Sequence, residues 1–206
     1  MSDHPEQHYP NIVNALSDTG WCVIPDFLSP ATVAALGEEC IALHREGRYK
    51  RAGIGKDGEY QVREEIRGDH VLWLDEHTAS PRQRIYFDAL EGLRQRINGE
   101  LYLGLFEYEG HFALYPPGTF YKKHLDNFRG FELRTVTCVF YLNQEWKDED
   151  GGHLRFYLNG ESETEYVDIP PKAGTLACFL THRFWHEVLP ARRERMAITG
   201  WFRRRP

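Results

Sequence analysis

Two histidines and one aspartate have the residue types and the spacing of a metal site. His124 and Asp126 stand two residues apart, and residues i and i+2 of a β-strand point to the same face of a sheet. His186, much later in the chain, is a candidate third ligand from another strand. Two imidazoles and one carboxylate can hold a metal ion and leave positions open for other ligands. The His-x-Asp pattern alone also fits surface or hydrogen-bonding residues, and this alternative stays open here.

An arginine downstream of His186 extends the possible chemistry. If His186 ends one strand and Arg195 begins its antiparallel partner, both side chains can face one cavity. An arginine inside an apolar barrel needs an anion, and the guanidinium binds a carboxylate through two hydrogen bonds. Non-haem Fe(II) oxygenases use a two-His, one-carboxylate site, and such a site with an arginine deeper in the barrel fits 2-oxoglutarate.

A second interpretation of Arg195 remains open. Arginines are frequent around it, and runs of like charge are usually solvated faces. The run consists of Arg192, Arg193, Arg203, Arg204 and Arg205. Spacing alone does not distinguish a buried carboxylate ligand from one member of this exposed run.

Short strand signals recur after residue 110 and predict the elements that carry these side chains. Pro116-Pro117-Gly118 and Gly151-Gly152 are among the turn signals that separate them. About eight antiparallel strands after helices predict a mainly β jelly roll or small barrel, which can hold one small ligand. The predicted strands are His111–Tyr115, Tyr121–Leu125, Thr135–Leu142, Leu154–Tyr157, Glu165–Ile169, Thr175–Leu180, His186–Leu189 and Met196–Phe202.

The first half of the chain reads as helical support for this barrel. Ser29-Pro30 and Ser80-Pro81 are helix-start signals, with predicted ends near Gly47 and at Asn98-Gly99. Trp21–Phe27 is predicted to be a strand, and Met1–His8 a polar tail. Between the helices, the charged and glycine-rich segment 49–76 has strand character only at His70–Leu74. Such a segment is typical of a functional lid or of an exposed connector.

Composition limits the classes of function. The chain has 206 residues and a net charge of −6, which predicts one domain over 1–206 and disfavours nucleic acid as the main partner. We expect residues 1–110 to form the support and residues 111–203 the barrel core. No apolar run is long enough for a membrane helix. Four cysteines without Cys-x-x-Cys spacing predict free thiols and a cytoplasmic location.

Several motifs in this order resemble one enzyme family over residues 16–203. The chain is similar to the 2-oxoglutarate- and Fe(II)-dependent prolyl 4-hydroxylases, especially to the oxygen-sensing branch that acts on hypoxia-inducible factor and its bacterial relatives. The motifs are Thr19–Leu28, Glu65–Trp73, His124–Asp126, Arg134–Asn143, Gly151–Leu154, His186–Val188 and Arg195–Trp201.

The resemblance implies a fold, an activity and a set of partners. The fold would be a double-stranded β-helix, also described as a jelly-roll or cupin-like barrel, backed by the N-terminal helices. The activity would be hydroxylation of a prolyl residue at C4 in a protein substrate, with O2 and 2-oxoglutarate consumed and succinate and CO2 released. Fe(II) would be the metal, with ascorbate as a candidate accessory. A lone catalytic domain resembles the bacterial enzymes, for which elongation factor Tu is the implied substrate.

The same resemblance assigns roles around the metal. It makes His124, Asp126 and His186 the iron ligands. Arg195 and Tyr141 would share the C5 carboxylate of 2-oxoglutarate. Two further cosubstrate-site residues would be Tyr115 and Thr199. The two tyrosines could also be plain core aromatics, and Thr199 an ordinary strand residue.

The resemblance also implies substrate-binding residues. Asp69 would pair with Arg134 near the substrate, while Tyr121 and Trp201 would line the pocket close to the metal. The segment Tyr49–Glu76 would be a finger loop that folds over a target peptide. An ordinary exposed ion pair is the alternative for Asp69 and Arg134. Oxygenation of a small molecule and a non-catalytic barrel for binding or sensing are the alternative functions of the whole domain.

Overall fold

Three helices occupy the first half of the described chain: α1 (Tyr9–Asp18), α2 (Pro30–Arg45) and α3 (Pro81–Leu101). The computed structural model describes residues 3–53, 61–126, 133–160 and 163–205. The Ser29 side chain accepts a hydrogen bond from a backbone N–H in the first turn of α2, and Ser80 does the same for α3. Both predicted helix starts are confirmed.

Helix α1 was not predicted, and the predicted end of α3 is wrong. Helix α1 follows the expected polar tail and buries Ile12, Val13 and Leu16, but no side chain caps its start. Helix α3 continues through the predicted stop to Leu101 and is followed by Tyr102, whose φ of 53° is left-handed. None of the helices in the described part of the chain qualifies as a membrane span, and even the longest, α3, carries charges along its length.

Eleven strands within the described residues form two antiparallel sheets. The major sheet has the order β1-β9-β6-β11-β4-β3-β2, and the minor sheet has the order β5-β10-β7-β8. The strands are β1 (Trp21–Ile24), β2 (Lys50–Arg51), β3 (His70–Leu74), β4 (Leu105–Tyr115), β5 (Tyr121–His124), β6 (Arg134–Tyr141), β7 (Leu154–Tyr157), β8 (Tyr166–Ile169), β9 (Leu176–Leu180), β10 (His186–Val188) and β11 (Arg195–Arg204).

The predicted mainly β double-stranded β-helix backed by helices is confirmed. Each of the eight predicted strands is present, with ends that shift by a few residues. The largest difference is β4, which starts at Leu105 rather than at His111. Within segment 49–76, His70–Leu74 is a strand as predicted, whereas residues 54–60 of this predicted finger loop lie outside the described residues.

Two apolar clusters lie on opposite faces of the major sheet. Strand β6 is buried along its whole length because alternate residues serve both clusters. Val136, Cys138 and Phe140 pack with the three helices. Val139 and Tyr141 point the other way, toward the minor sheet. This inner face carries the wall of the cavity described next.

Candidate active site

The three predicted metal ligands converge on one point. His124 and His186 are direct partners in the pairing of β5 with β10. Asp126 lies just after β5 rather than on it, and its carboxylate oxygens are 3.5 Å from His124 Nε2 and 3.6 Å from His186 Nε2. One candidate ligand atom from each residue lies within 4.8 Å of the other two. These three side chains therefore make a compact candidate site for one metal ion.

Hydrogen bonds fix the orientation of all three side chains. His124 Nδ1 donates to the carbonyl of Lys122 at 2.7 Å, and His186 Nδ1 donates to the carbonyl of Phe184 at 3.2 Å. Since a carbonyl only accepts, the proton of each neutral ring is on Nδ1 and the Nε2 lone pair is free for a metal. Thr137 Oγ1 donates to Asp126 Oδ2 at 3.0 Å. Hydrogen bonds between ligand side chains and the residues around them are typical of metal sites.

The protonation states also suit a divalent cation. Burial would raise the pKa of Asp126, but His186 and His124 hold this pKa below its ordinary value. Burial, followed by the neighbouring His124, lowers the pKa of His186 to about 4. An ionised carboxylate and a neutral imidazole are the forms that bind metals.

Removal of the hydrogen bond from Thr137 to Asp126 should weaken metal binding. Thr137→Val keeps the shape of the buried side chain but leaves Asp126 without the donor at 3.0 Å. We expect Fe(II) affinity to fall by about 10- to 100-fold. Anaerobic calorimetric titration with Fe(II) measures this change. The exposed Thr78→Val is the control, and equal affinities of the two variants would contradict the orienting role.

Arg195 is buried on the opposite wall of the same cavity. Its side chain is 2% exposed, whereas Arg192 and Arg193 are exposed, so Arg195 is not part of their solvated face. Strand β11 belongs to the major sheet and β10 to the minor sheet. The expectation that His186 and Arg195 lie on antiparallel partner strands is therefore wrong. The two residues instead face each other across the barrel and line one cavity of about 160 Å³.

The surroundings of Arg195 fit a carboxylate. Its Nε donates to the carbonyl of Gly152 at 2.7 Å, and its guanidinium carbon lies 5.1 Å from the ring centres of Tyr115 and Tyr141. Among the described residues, neither Arg195 Nη2 nor the hydroxyl of Tyr141 has a hydrogen-bond partner. Buried polar groups are normally paired, so the two free groups fit one anionic ligand. A diacid reaching from the metal to this pair satisfies that requirement.

The predicted pairing of Asp69 with Arg134 is wrong. Asp69 is buried, and both of its oxygens accept hydrogen bonds from Arg67, at 2.8 and 2.6 Å. Arg134 Nε donates to Glu109 at 2.7 Å, and its guanidinium carbon lies 3.5 Å from the ring centre of Trp201. The closer Arg67, two residues before Asp69, therefore takes the role expected of Arg134, and the Arg-x-Asp spacing was the available signal.

Arg67 connects the root of the predicted finger loop to the metal site. Its guanidinium carbon lies 4.2 Å from the ring centre of Tyr121. The Tyr121 ring in turn stacks on His124, with centres 3.6 Å apart. Thr199, Trp201, His111 and the half-exposed Trp73 also line the cavity. Neither His111 nor Trp73 was predicted to be a site residue, although a strand start at Leu105 would have placed His111 in mid-strand.

The Arg67–Asp69 pair should contribute strongly to stability. Asp69→Asn leaves the mostly buried Arg67 guanidinium without its charged partner, so we expect a loss of about 3–5 kcal/mol in the free energy of unfolding. The matched control is Asp168→Asn, which breaks the exposed two-bond pair with Arg155 and should cost about 0–1 kcal/mol. Urea unfolding measures both values, and equal losses would contradict the argument.

This contribution should also depend on pH. Burial would raise the pKa of Asp69, but Arg67 holds it below its ordinary value of 3.8. A carboxyl group with a lowered pKa in the folded state stabilises the protein above the ordinary pKa and loses this effect as the pH falls through the folded value. The stability gap between the wild type and Asp69→Asn should therefore be constant above about pH 5 and shrink in acid.

Comparisons with known proteins agree with the geometry. The profile of the 2OG-Fe(II) oxygenase superfamily matches residues 110–203. Human Egl nine homolog 1 is 33% identical over 199 residues, which are 93% of this chain and 45% of that protein. The chain spans about half the length of Egl nine homolog 1 from human, mouse and rat.

Solved structures extend the similarity to the whole fold. A crystal structure of a prolyl-4-hydroxylase from Pseudomonas putida is 42% identical, with a TM-score of 0.86 over 96% of this chain and 100% of that one. A prolyl hydroxylase from Trichoplax adhaerens, in complex with a peptide of hypoxia-inducible factor, is 30% identical with a TM-score of 0.85, over 97% of this chain and 90% of that one.

Fe(II) and 2-oxoglutarate are the cofactor and cosubstrate of this superfamily, and the metal-ligand group with the donors of Arg195 and Tyr141, unpaired within the described residues, fits both. The long match at 42% identity, together with the Egl nine relatives, defines the branch. The chain belongs to the 2-oxoglutarate- and Fe(II)-dependent oxygenases and, among them, to the prolyl hydroxylases of the Egl nine type.

Proposed function

We propose that this protein hydroxylates a prolyl residue at C4 in a protein substrate. One observation carries the proposal: the metal-ligand group and Arg195 line one cavity, and within the described residues Arg195 Nη2 and the hydroxyl of the neighbouring Tyr141 have no hydrogen-bond partner. A solved relative is described as a prolyl-4-hydroxylase and another holds a peptide of hypoxia-inducible factor. These descriptions support a prolyl residue of a protein as the target.

The balance of the reaction is simple. Prolyl C4–H, O2 and 2-oxoglutarate give prolyl C4–OH, succinate and CO2, with one oxygen atom of O2 in each of the first two products. Fe(II) and 2-oxoglutarate, when bound, supply the oxidising chemistry. His124, Asp126 and His186 would hold the metal and leave positions open on it.

The residues of the opposite wall would hold the cosubstrate. Arg195 and Tyr141 would donate hydrogen bonds to its far carboxylate, and the buried Tyr115 would pack beside Arg195. Thr199 lies on β11 between Arg195 and the metal-side end of the cavity. Because this wall is buried, it would also exclude water from the reacting groups.

Aromatic and charged side chains at the other end of the cavity would receive the peptide. The flat apolar ring of proline suits packing on Tyr121 and Trp201. The Arg134 guanidinium covers Trp201, and the Arg67–Asp69 pair fixes the root of segment 49–76 beside Tyr121. We propose that this segment acts as the finger loop over the flanking residues of the substrate.

Elongation factor Tu is the specific substrate of the proposal. The support is the similarity to a bacterial prolyl-4-hydroxylase over nearly the whole chain. A cytoplasmic location belongs to the same proposal, and four free cysteines support a reducing compartment. Ascorbate would serve only as an accessory that keeps the iron reduced.

The test is incubation of the protein with elongation factor Tu, Fe(II), 2-oxoglutarate and air, followed by peptide mass spectrometry. We expect one added oxygen on a proline, absent when 2-oxoglutarate is omitted. If only other proteins of a cell extract gain hydroxyproline, the specific substrate is wrong and the activity stands. Oxygenation of a free metabolite alone would support a small-molecule oxygenase, and the absence of any 2-oxoglutarate turnover would support a non-catalytic barrel.

A further inference from the structure

His111 is a buried histidine of the cavity for which the proposed reaction gives no role so far. Its side chain is 4% exposed and lies between two indole rings, with centre distances of 4.8 Å to Trp73 and 5.6 Å to Trp201. Within the described part of the chain, His111 Nδ1 has no hydrogen-bond partner. An unpaired buried nitrogen destabilises a fold, so its presence at a cavity points to a ligand.

The imidazole of His111 is neutral. Burial, followed by the positive charge of Arg67, lowers its pKa to about 3, with Arg134 acting in the same direction and the carboxylates of Asp69 and Asp126 opposing them. A neutral imidazole offers one N–H donor and one nitrogen acceptor. Such a ring suits an uncharged polar group better than it suits a carboxylate or a phosphate.

Strand register places His111 away from the carboxylate end of the cavity. On β4, His111 is the direct partner of Thr199, and Tyr115 is the direct partner of Arg195. His111 and Tyr115 are four residues apart on β4, so the two cross-strand pairs lie about 13 Å apart along the strand. His111 is therefore too far from Arg195 to contact the carboxylate that Arg195 would bind.

The same register places His111 near the level of the metal ligands. Thr137, the hydrogen-bond donor to Asp126, pairs with Trp201, two residues after Thr199. On the other side of β4, His111 is the direct partner of Trp73 in β3, the strand near the end of segment 49–76. His111 thus lies between the strand that neighbours the metal group and Trp73 of β3.

We propose that His111 is a substrate-binding residue that donates a hydrogen bond to a backbone carbonyl beside the target proline. The inference rests on the proposed prolyl hydroxylation. A prolyl nitrogen carries no hydrogen, so the polar backbone groups on either side of it are carbonyl oxygens, which need a donor. Trp73 and Trp201 would pack against the apolar parts of the same segment while His111 fixes its orientation.

A titration of the wild-type protein tests the contact without turnover. The protein carries 15N-labelled histidine, Zn(II) in place of iron, and 2-oxoglutarate, and the probe is N-acetyl-L-prolinamide. We expect the ring 15N signals of His111, assigned with the His111→Gln variant, to shift on addition of the probe, while those of the exposed His77 stay constant. Unchanged His111 signals at the solubility limit of the probe would overturn the proposal.

Kinetics separate a binding role from a packing role. His111→Phe keeps an aromatic ring between the two tryptophans but removes the donor, and His111→Gln supplies an N–H again. The substrate for the kinetics is a peptide of elongation factor Tu that contains the unmodified target proline. With it, we expect the peptide KM of His111→Phe to rise about 3- to 10-fold. The kcat and the KM for 2-oxoglutarate should stay within about twofold, and His111→Gln should recover part of the loss.

The controls make each failure distinguishable. His77→Phe, at an exposed site, should leave the peptide KM unchanged, and thermal melting shows whether every variant is folded. A folded His111→Phe with the wild-type peptide KM would overturn the role of His111 while prolyl hydroxylation stands. If the wild type hydroxylates no prolyl peptide, the proposed function fails, and the prolinamide titration still decides whether His111 binds a prolyl carbonyl.

Discussion

Asp126→Ala should abolish hydroxylation because it removes the only carboxylate of the candidate metal group. The two remaining imidazoles would hold Fe(II) weakly, since metal sites of this type need the charge of the carboxylate. We expect Fe(II) affinity to fall by more than about 100-fold. This loss exceeds the one expected for Thr137→Val, which removes only a hydrogen bond to Asp126. Anaerobic calorimetry with Fe(II) measures the affinity, and peptide mass spectrometry measures the product.

Asp168→Ala is the matched control for this loss. Its carboxylate pairs with Arg155 on the minor sheet and is not part of the metal group. The Asp168→Ala variant should therefore bind Fe(II) as the wild type does. If Asp126→Ala retains wild-type iron affinity, the assignment of the metal site to this group fails.

Arg195→Ala should have the second-largest effect. The buried guanidinium faces a site where a carboxylate would complete its hydrogen bonds, and truncation of one partner of a buried charge pair costs about 2–5 kcal/mol. This loss corresponds to an increase of about 30-fold to several thousand-fold in the dissociation constant of 2-oxoglutarate. Calorimetric titration with 2-oxoglutarate in the presence of Fe(II) without O2 measures it.

Arg192→Ala tests the alternative that charge, rather than position, binds the diacid. Arg192 lies three residues before Arg195 in the same basic run but is exposed. The Arg192→Ala variant should bind 2-oxoglutarate as tightly as the wild type does. Similar losses in the two variants would indicate a diffuse electrostatic effect in place of a specific carboxylate contact.

Local sequence signals predicted much of the fold. Ser29 and Ser80 each mark a helix start, because a serine followed by proline both accepts a free backbone N–H and suits the first turn. The strands after residue 110 could be predicted since turn residues separate them. Helix α1 escaped prediction because no side chain caps it, and its stability comes from packing of Ile12 and Leu16 against the core.

Long-range geometry was harder to predict than local structure. The grouping of His124, Asp126 and His186 was expected from their types and spacing. The position of Arg195 was expected for the wrong reason, because the sequence does not state which strands share a sheet. Partner choice was also hidden: Asp69 pairs with Arg67 since the short i, i+2 separation brings these two side chains together at the loop root.

Incubation under 18O2 tests the central claim most directly. The protein is mixed with Fe(II), unlabelled 2-oxoglutarate and the elongation factor Tu peptide, and both products are analysed by mass spectrometry. Coupled prolyl hydroxylation at one cavity predicts one 18O atom in hydroxyproline and one in succinate, in equal amounts. Labelled succinate with an unmodified prolyl peptide, or hydroxyproline whose oxygen comes from water, would contradict the account.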